Sequence, residues 1–143
     1  YVGYRWADKE KIKPTFAFGH GLSYTTFAYG RAVVDKKVMG ADETLTVMVP
    51  VTNTGNREGA EIVQLYISDL KSSLPRPVKE LKGFSKVKLT PGETKEVVFI
   101  IGKDALSFYD DARHEWVADP GKFEVIVAAS AADMKSKVSI ELE

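Results

Sequence analysis

From Thr44 to Ser68 the chain reads TLTVMVPVTNTGNREGAEIVQLYIS, and no other stretch constrains the fold as tightly. Leu45, Val47, Val49 and Val51 alternate with Thr46, Met48, Pro50 and Thr52. Period-two alternation marks a strand with one buried face. Val63, Leu65 and Ile67 repeat the pattern after the connection Asn53-Thr54-Gly55-Asn56-Arg57-Glu58-Gly59. That connection is rich in residues that tolerate positive φ, and it is too long for a two-residue hairpin. It is therefore expected to arch from one sheet to another.

The remaining segments read as strands packed around this pair. Phe27 to Asp35 predicts a short strand, closed by Lys36-Lys37 and the Gly40-Ala41-Asp42 turn. Pro50 sits in mid-strand, so its position should face solvent or a sheet edge. Asp69 to Pro77 is a loop, because Pro75 and Pro77 exclude a regular element. Val78 to Leu89 resumes as a strand whose alternation breaks at Gly83, the mark of a bulge. Thr90-Pro91-Gly92-Glu93 carries the signal of a type II turn, and Glu96 to Ile101 is a short apolar strand. Lys103 to Leu106 predicts a single helical turn, and Ser107 to Val117 a hairpin with a polar tip. Phe123, Val125, Val127 and Ala129 alternate in one further strand, and Val138, Ile140 and Leu142 in the last. About seven or eight short strands, with turns every ten or so residues, indicate an all-β antiparallel sandwich. Tyr1 to Phe27 differs: it is crowded with aromatics, shows no sustained period, and needs another surface to lie on.

A length of 143 residues suits one domain with a proper core. Lysines plus arginines and aspartates plus glutamates both number 20, for a formal net charge of zero. The basic residues are scattered, which disfavours nucleic acid as a partner. The absence of cysteine excludes disulfides and thiolate metal sites. No apolar run approaches the roughly 20 residues that span a bilayer, and no targeting signal is visible. The opening Tyr1-Val2-Gly3 reads as an interior stretch of something longer.

No catalytic constellation emerges from the residues. The densest acidic group, Asp110, Asp111, Glu115 and Asp119, falls on a hairpin tip and a turn, where Asp is favoured for backbone reasons. His20 and His114 are far apart and lack the spacing of a transition-metal site. His20, between two glycines, reads as structural. Ser23 is followed two residues on by Thr25 rather than Gly, so no nucleophile elbow exists. Trp6, Tyr66, Tyr109 and Trp116 could form a sugar-stacking platform, although aromatics in a small sandwich more often serve the core or an interface.

Several motifs in one order carry a resemblance. Tyr4-Arg5-Trp6 and Phe16-Ala17-Phe18-Gly19-His20-Gly21-Leu22-Ser23-Tyr24-Thr25-Thr26-Phe27 come first. Val51-Thr52-Asn53-Thr54-Gly55 and Gly59-Ala60-Glu61-Ile62-Val63-Gln64-Leu65-Tyr66 follow. Then come Pro75-Arg76-Pro77-Val78-Lys79-Glu80-Leu81-Lys82-Gly83-Phe84, Leu106-Ser107-Phe108-Tyr109-Asp110, Trp116 and Pro120-Gly121. Over essentially its whole length the chain resembles the C-terminal end of glycoside hydrolase family 3 enzymes, which include β-glucosidases and β-xylosidases. Ala7 and Ala17 depart from the pattern, where an aromatic and a proline are usual.

The resemblance implies an immunoglobulin/fibronectin type III-like sandwich over residues 27–143. Residues 1–26 then link it to a preceding α/β domain. The family's Asp nucleophile and Glu acid/base come from other domains, and neither motif is present. The implied role is a non-catalytic accessory domain of a retaining exo-acting β-glycosidase, with no catalytic residue, metal or cofactor of its own. Its partners would be the catalytic domains of its own polypeptide and, in some relatives, a second subunit, with no membrane or nucleic acid. Trp6, Phe16, Phe18, His20, Leu22 and Tyr24 are the expected interdomain packing residues. Leu74, Pro75, Arg76 and Pro77 are the expected loop toward the active site or a partner. Export to the periplasm or beyond is what the resemblance suggests. The contrasting expectations are an independent carbohydrate-binding module and, more weakly, an adhesion-type sandwich.

Overall fold

A computed structural model describes residues 1–143. Its elements in order are α1 (Tyr4–Glu10), β1 (Phe27–Tyr29), β2 (Val33–Val34), β3 (Val38–Met39), β4 (Leu45–Asn53) and β5 (Gly59–Asp69). Then follow β6 (Glu80–Leu89), β7 (Thr94–Ile101), α2 (Lys103–Leu106), β8 (Phe108–Asp110), β9 (Glu115–Val117), β10 (Gly121–Ser130) and β11 (Asp133–Leu142). Two sheets face each other. In one, β4 pairs with β7 on one edge and with β1 and β2 in tandem on the other. The second runs β3-β11-β10-β5-β6, and β8 pairs with β9 in a separate hairpin.

The organising pair behaves as its pattern requires. In β4 the residues Leu45, Val47, Val49, Val51 and Asn53 are buried, and those between them are half-exposed. Across the interior lie Val63, Leu65 and Ile67 of β5, with Phe123, Val125 and Val127 of β10, all in one core cluster. Each such side chain withdrawn from water contributes about 1.5–3 kcal/mol. The connection from β4 to β5 does cross between the sheets. Asn53 pins it: its amide donates to the carbonyls of Arg57 (2.8 Å) and Leu89 (2.9 Å). Its Oδ1 accepts from the Gly55 N–H (3.0 Å) and the Thr25 hydroxyl (2.7 Å). A buried amide with every partner in place rigidifies the arch.

Other local expectations hold. The β5–β6 register shifts where Tyr66 faces Leu81 and Leu65 faces Gly83, so a bulge is present there. Gly92 has φ 77°, and the Glu93 N–H donates to the Thr90 carbonyl at 3.0 Å, closing the expected turn. Helix α2 and the β8–β9 hairpin lie where the sequence places them.

The strand expected from Phe27 to Asp35 is instead two strands, β1 and β2, separated at Gly30-Arg31. Pro50 is the cause. It faces the gap between them and offers no N–H there, while its carbonyl accepts from the Gly30 N–H at 2.8 Å. The sheets hold eleven strands rather than seven or eight, because β1, β2, β3, β8 and β9 are two- or three-residue pieces. The sandwich is also not wholly antiparallel, since β3 runs parallel to β11. The N-terminal segment is not irregular throughout. Residues 4–10 form a helix closed by Lys11 in the left-handed region (φ 55°).

Candidate interaction surface: the docked N-terminal segment and the proline loop

In β5 and β10 burial does not alternate. Gln64, Tyr66, Ile126 and Ala128 point away from the core and are buried nonetheless. A strand covered on both faces loses its polar side, and what covers this one is the N-terminal segment. Tyr4 of α1 stacks edge-on to Tyr66, with centroids 5.6 Å apart and planes at 82°. Phe18 lies 5.2 Å from Tyr4, and its carbonyl accepts from the Ala131 N–H at 2.8 Å.

Polar groups fix the alignment. The Tyr4 hydroxyl accepts from the Leu81 N–H at 2.8 Å, at the bulge. Lys79, buried ahead of β6, pairs with Asp8 on α1, and its ammonium lies 5.6 Å from the Tyr66 ring centroid. The Tyr66 hydroxyl donates to Gln64 Oε1 at 2.7 Å. Burial holds the Tyr66 phenol above its ordinary range, so it stays a neutral donor. The unbroken apolar run Val125 to Ala129, beside Val63 to Ile67, which is apolar and aromatic but for Gln64, is the sequence signal that both faces are covered.

The six side chains singled out in this segment do not converge. Phe18 is half-exposed while in contact with Tyr4. Trp6 is also half-exposed. Phe16 lies against His20 at 5.6 Å between centroids, and both face outward. Leu22 and Tyr24 are 95% and 91% exposed, apolar surface with nothing of this chain upon it. A cleft of about 410 Å³ between α1 and the following turn is walled by Trp6, Ile12, Pro14 and Phe16.

The loop from Asp69 to Pro77 is held by a buried cation. Arg76, its side chain 6% exposed, donates to Asp69 Oδ2 at 3.0 Å and to Glu80 Oε1 at 3.4 Å. It also donates to the carbonyls of Leu106 (3.1 Å) and Ser107 (3.4 Å), and its guanidinium lies 5.1 Å from the Phe108 ring centroid. Leu74 and Pro75 are left at the surface. Two carboxylates of the 110–119 stretch serve the backbone: Asp110 accepts from the N–H groups of Ala112 and Arg113, and Asp119 from that of Ser73. A sugar-stacking platform does not form from the four rings named above. Tyr66 is fully buried, and Tyr109 and Trp116 stand at 68° to each other.

A family model for the fibronectin type III-like domain matches residues 61–131. Beta-glucosidase BoGH3A of Bacteroides ovatus is 51% identical over 140 residues, 98% of this chain and 19% of that relative. Thermostable beta-glucosidase B of Acetivibrio thermocellus is 46% identical over 142 residues, 99% of this chain and 19% of its own length. Among solved structures, a Bifidobacterium adolescentis GH3 beta-glucosidase superposes with a TM-score of 0.91 at 37% identity, over 99% of this chain and 20% of that one. The beta-glucosidase of Kluyveromyces marxianus in complex with glucose gives 0.89 at 42%, over 99% and 17%. The chain thus spans about a fifth of the length of the relatives it matches.

Proposed function

The chain belongs to the fibronectin type III-like domains of the kind carried by family 3 β-glucosidases, and from that premise we propose that it is the non-catalytic accessory domain of a longer β-glycosidase. The longer polypeptide would hydrolyse terminal β-linked glucose or related sugars, with its nucleophile and acid/base in other domains. The observation that carries this reading is an asymmetry of coverage. The similarity takes in nearly all of this chain and only 19% of Beta-glucosidase BoGH3A.

The geometry supports a packing role. Half of the N-terminal segment is committed to this domain's own sheet through Tyr4, Asp8 and Phe18. The other half presents Phe16, Leu22 and Tyr24 outward, as a surface meant for further protein would. In this reading they and Trp6 meet the preceding catalytic domains, and the 69–77 loop projects toward the active-site region or a partner subunit. A free-standing carbohydrate-binding module is less well supported, because such a module needs coplanar exposed rings and Tyr109 and Trp116 are not coplanar.

The test is the intact mass of the native gene product and its activity on an aryl β-glucoside, with this 143-residue chain assayed alongside. A product several times longer that is active beside an inert fragment is the expected result. A native product as short as this chain overturns the reading.

A further inference from the structure

Of the six prolines in the chain, five follow Lys13, Val49, Leu74, Arg76 and Thr90. The sixth, Pro120, follows Asp119, and that pairing carries chemistry. A proline nitrogen in a peptide bond has no hydrogen and three carbon substituents. It is therefore more basic than an ordinary amide nitrogen and takes up a proton more readily in acid. The aspartyl carboxylate beside it can close a five-membered ring on its own carbonyl carbon. An intramolecular nucleophile so placed reacts as if at very high concentration. The Asp119–Pro120 bond lies in the irregular link between β9 and β10, with Pro120 exposed, so water and acid reach it.

The fold restrains both sides of this bond. Asp119 Oδ2 accepts from the Ser73 N–H at 2.8 Å, a contact spanning 46 residues. The carboxylate must leave the 69–77 loop before it can turn on its own backbone. Beyond the bond, Gly121 is paired with Leu142, and the Lys122 carbonyl accepts from the Leu70 N–H at 3.2 Å. A chain cut here keeps its two new ends side by side.

We propose that the Asp119–Pro120 bond is an acid self-cleavage site, with the Asp119 carboxylate as its nucleophile, and that the Ser73 contact keeps it silent in the folded domain. A carboxylate oxygen of Asp119 attacks the Asp119 carbonyl carbon while acid protonates the Pro120 nitrogen. A C–O bond forms and the C–N bond breaks, leaving a cyclic anhydride on Asp119 and a free secondary amine on Pro120. Water then opens the anhydride. The net change is one water added across one peptide bond, with nothing oxidised or reduced. The piece cut off, residues 120–143, carries β10 and β11 and with them Phe123, Val125, Val127, Ile140 and Leu142 of the core. A cut made in the folded domain leaves these strands paired in place. Its effect appears on unfolding, which two separate pieces do not readily reverse.

Intact-mass spectrometry of the 143-residue chain, held at pH values from about 5 down to about 2 with and without urea, tests this. Two fragments, 1–119 and 120–143, are expected, together heavier than the parent by one water. Wherever the domain stays folded, cleavage should run about tenfold slower or less than in urea, since the carboxylate must first escape through a local opening. Hydrogen exchange of the Ser73 amide reports that same opening, so its protection should match the factor by which cleavage is slowed. Asp119→Ala should stop cleavage with and without urea. An intact chain in urea, or a cut at another bond, overturns the site. Equal rates with and without urea at every pH overturn the silencing by the fold. A Ser73 amide that exchanges freely while cleavage is still slowed overturns the role of Ser73.

Discussion

Lys79 and Asp8, 71 residues apart in sequence, form an ion pair that ties the approach to β6 to the N-terminal helix. The Lys79 side chain is 6% exposed and that of Asp8 24%. A buried ammonium tolerates its surroundings only while its counter-charge is present. The N-terminal segment therefore belongs energetically to the sandwich it covers.

Asp8→Asn is expected to destabilise the domain by about 2–3 kcal/mol, because it leaves Lys79 buried without a counter-charge. Adding Lys79→Met should return most of that loss, since the lone charge is then gone. Urea unfolding of the four variants in the cycle measures it. A single Asp8→Asn variant as stable as the parent would contradict the coupling.

Tyr66→Ala should cost about 3–5 kcal/mol in the whole chain, as for other large buried aromatics. In a chain lacking residues 1–26 the same substitution should cost far less, because the ring is already uncovered there. The difference between the two values reports how firmly the segment docks. If the two costs match, the segment does not cover Tyr66 in solution.

A Cβ added at Gly30 would lie 2.4 Å from Cγ of Pro50. Gly30→Ala is therefore expected to destabilise by about 1–3 kcal/mol, the usual cost of overpacking. Pro50→Ala should relieve most of it by removing the opposing ring. Thermal unfolding of the single and double variants decides the point, and simple additivity would show that the two residues do not meet.

Arg76→Met leaves the buried Asp69 without its cation, while Glu80 keeps Arg5 and Lys82, at an expected loss of about 3–5 kcal/mol. Arg76→Lys should recover only part. A single ammonium cannot reach two carboxylates and two carbonyls in the planar fork a guanidinium provides. Full rescue by lysine, read from denaturation midpoints, would show that charge alone matters at this position.

Ser73, through its hydroxyl and backbone N–H, holds the Asp119 carboxyl below its ordinary range. Its folded value is lower than its unfolded one, so the contribution is complete above the unfolded pKa and is lost as pH falls through the folded value. Glu93, held low by the Thr90 N–H, and Glu43, held low by the Gly40 N–H and Lys36, act in the same direction. The domain should therefore weaken as pH drops below about 4. Asp119→Asn should flatten part of that decline in urea midpoints taken across the acid range. An unchanged acid slope would show that the Ser73 contact is not maintained in solution.

The resemblance of motifs and the alternation of Leu45 to Val51 and of Phe123 to Val127 point to the sandwich, and the structure bears it out. Turn chemistry was equally readable: the 53–59 arch, the bulge at Gly83, and the Pro91-Gly92 turn all lie where their residues require. The break between β1 and β2 was readable only in part. Pro50 announced an edge, but that the edge faces Gly30 follows from the register of a strand twenty residues away.

What the sequence by itself determined is the long strands, the crossing between sheets and the side of each long strand that faces the core. These depend on the period of side chains along an extended backbone and on the φ preferences of turn residues, both local properties. Only the tertiary structure decided that the outer face of the five-stranded sheet is covered by Tyr4 and Phe18. It also decided that Lys79 and Arg76 are buried cations and that Arg76 joins the proline loop to the start of the hairpin. A charge carries no mark in the sequence that tells whether water or a carboxylate will solvate it. That depends on which distant segment folding brings alongside, and on whether the contact offsets the loss of hydration.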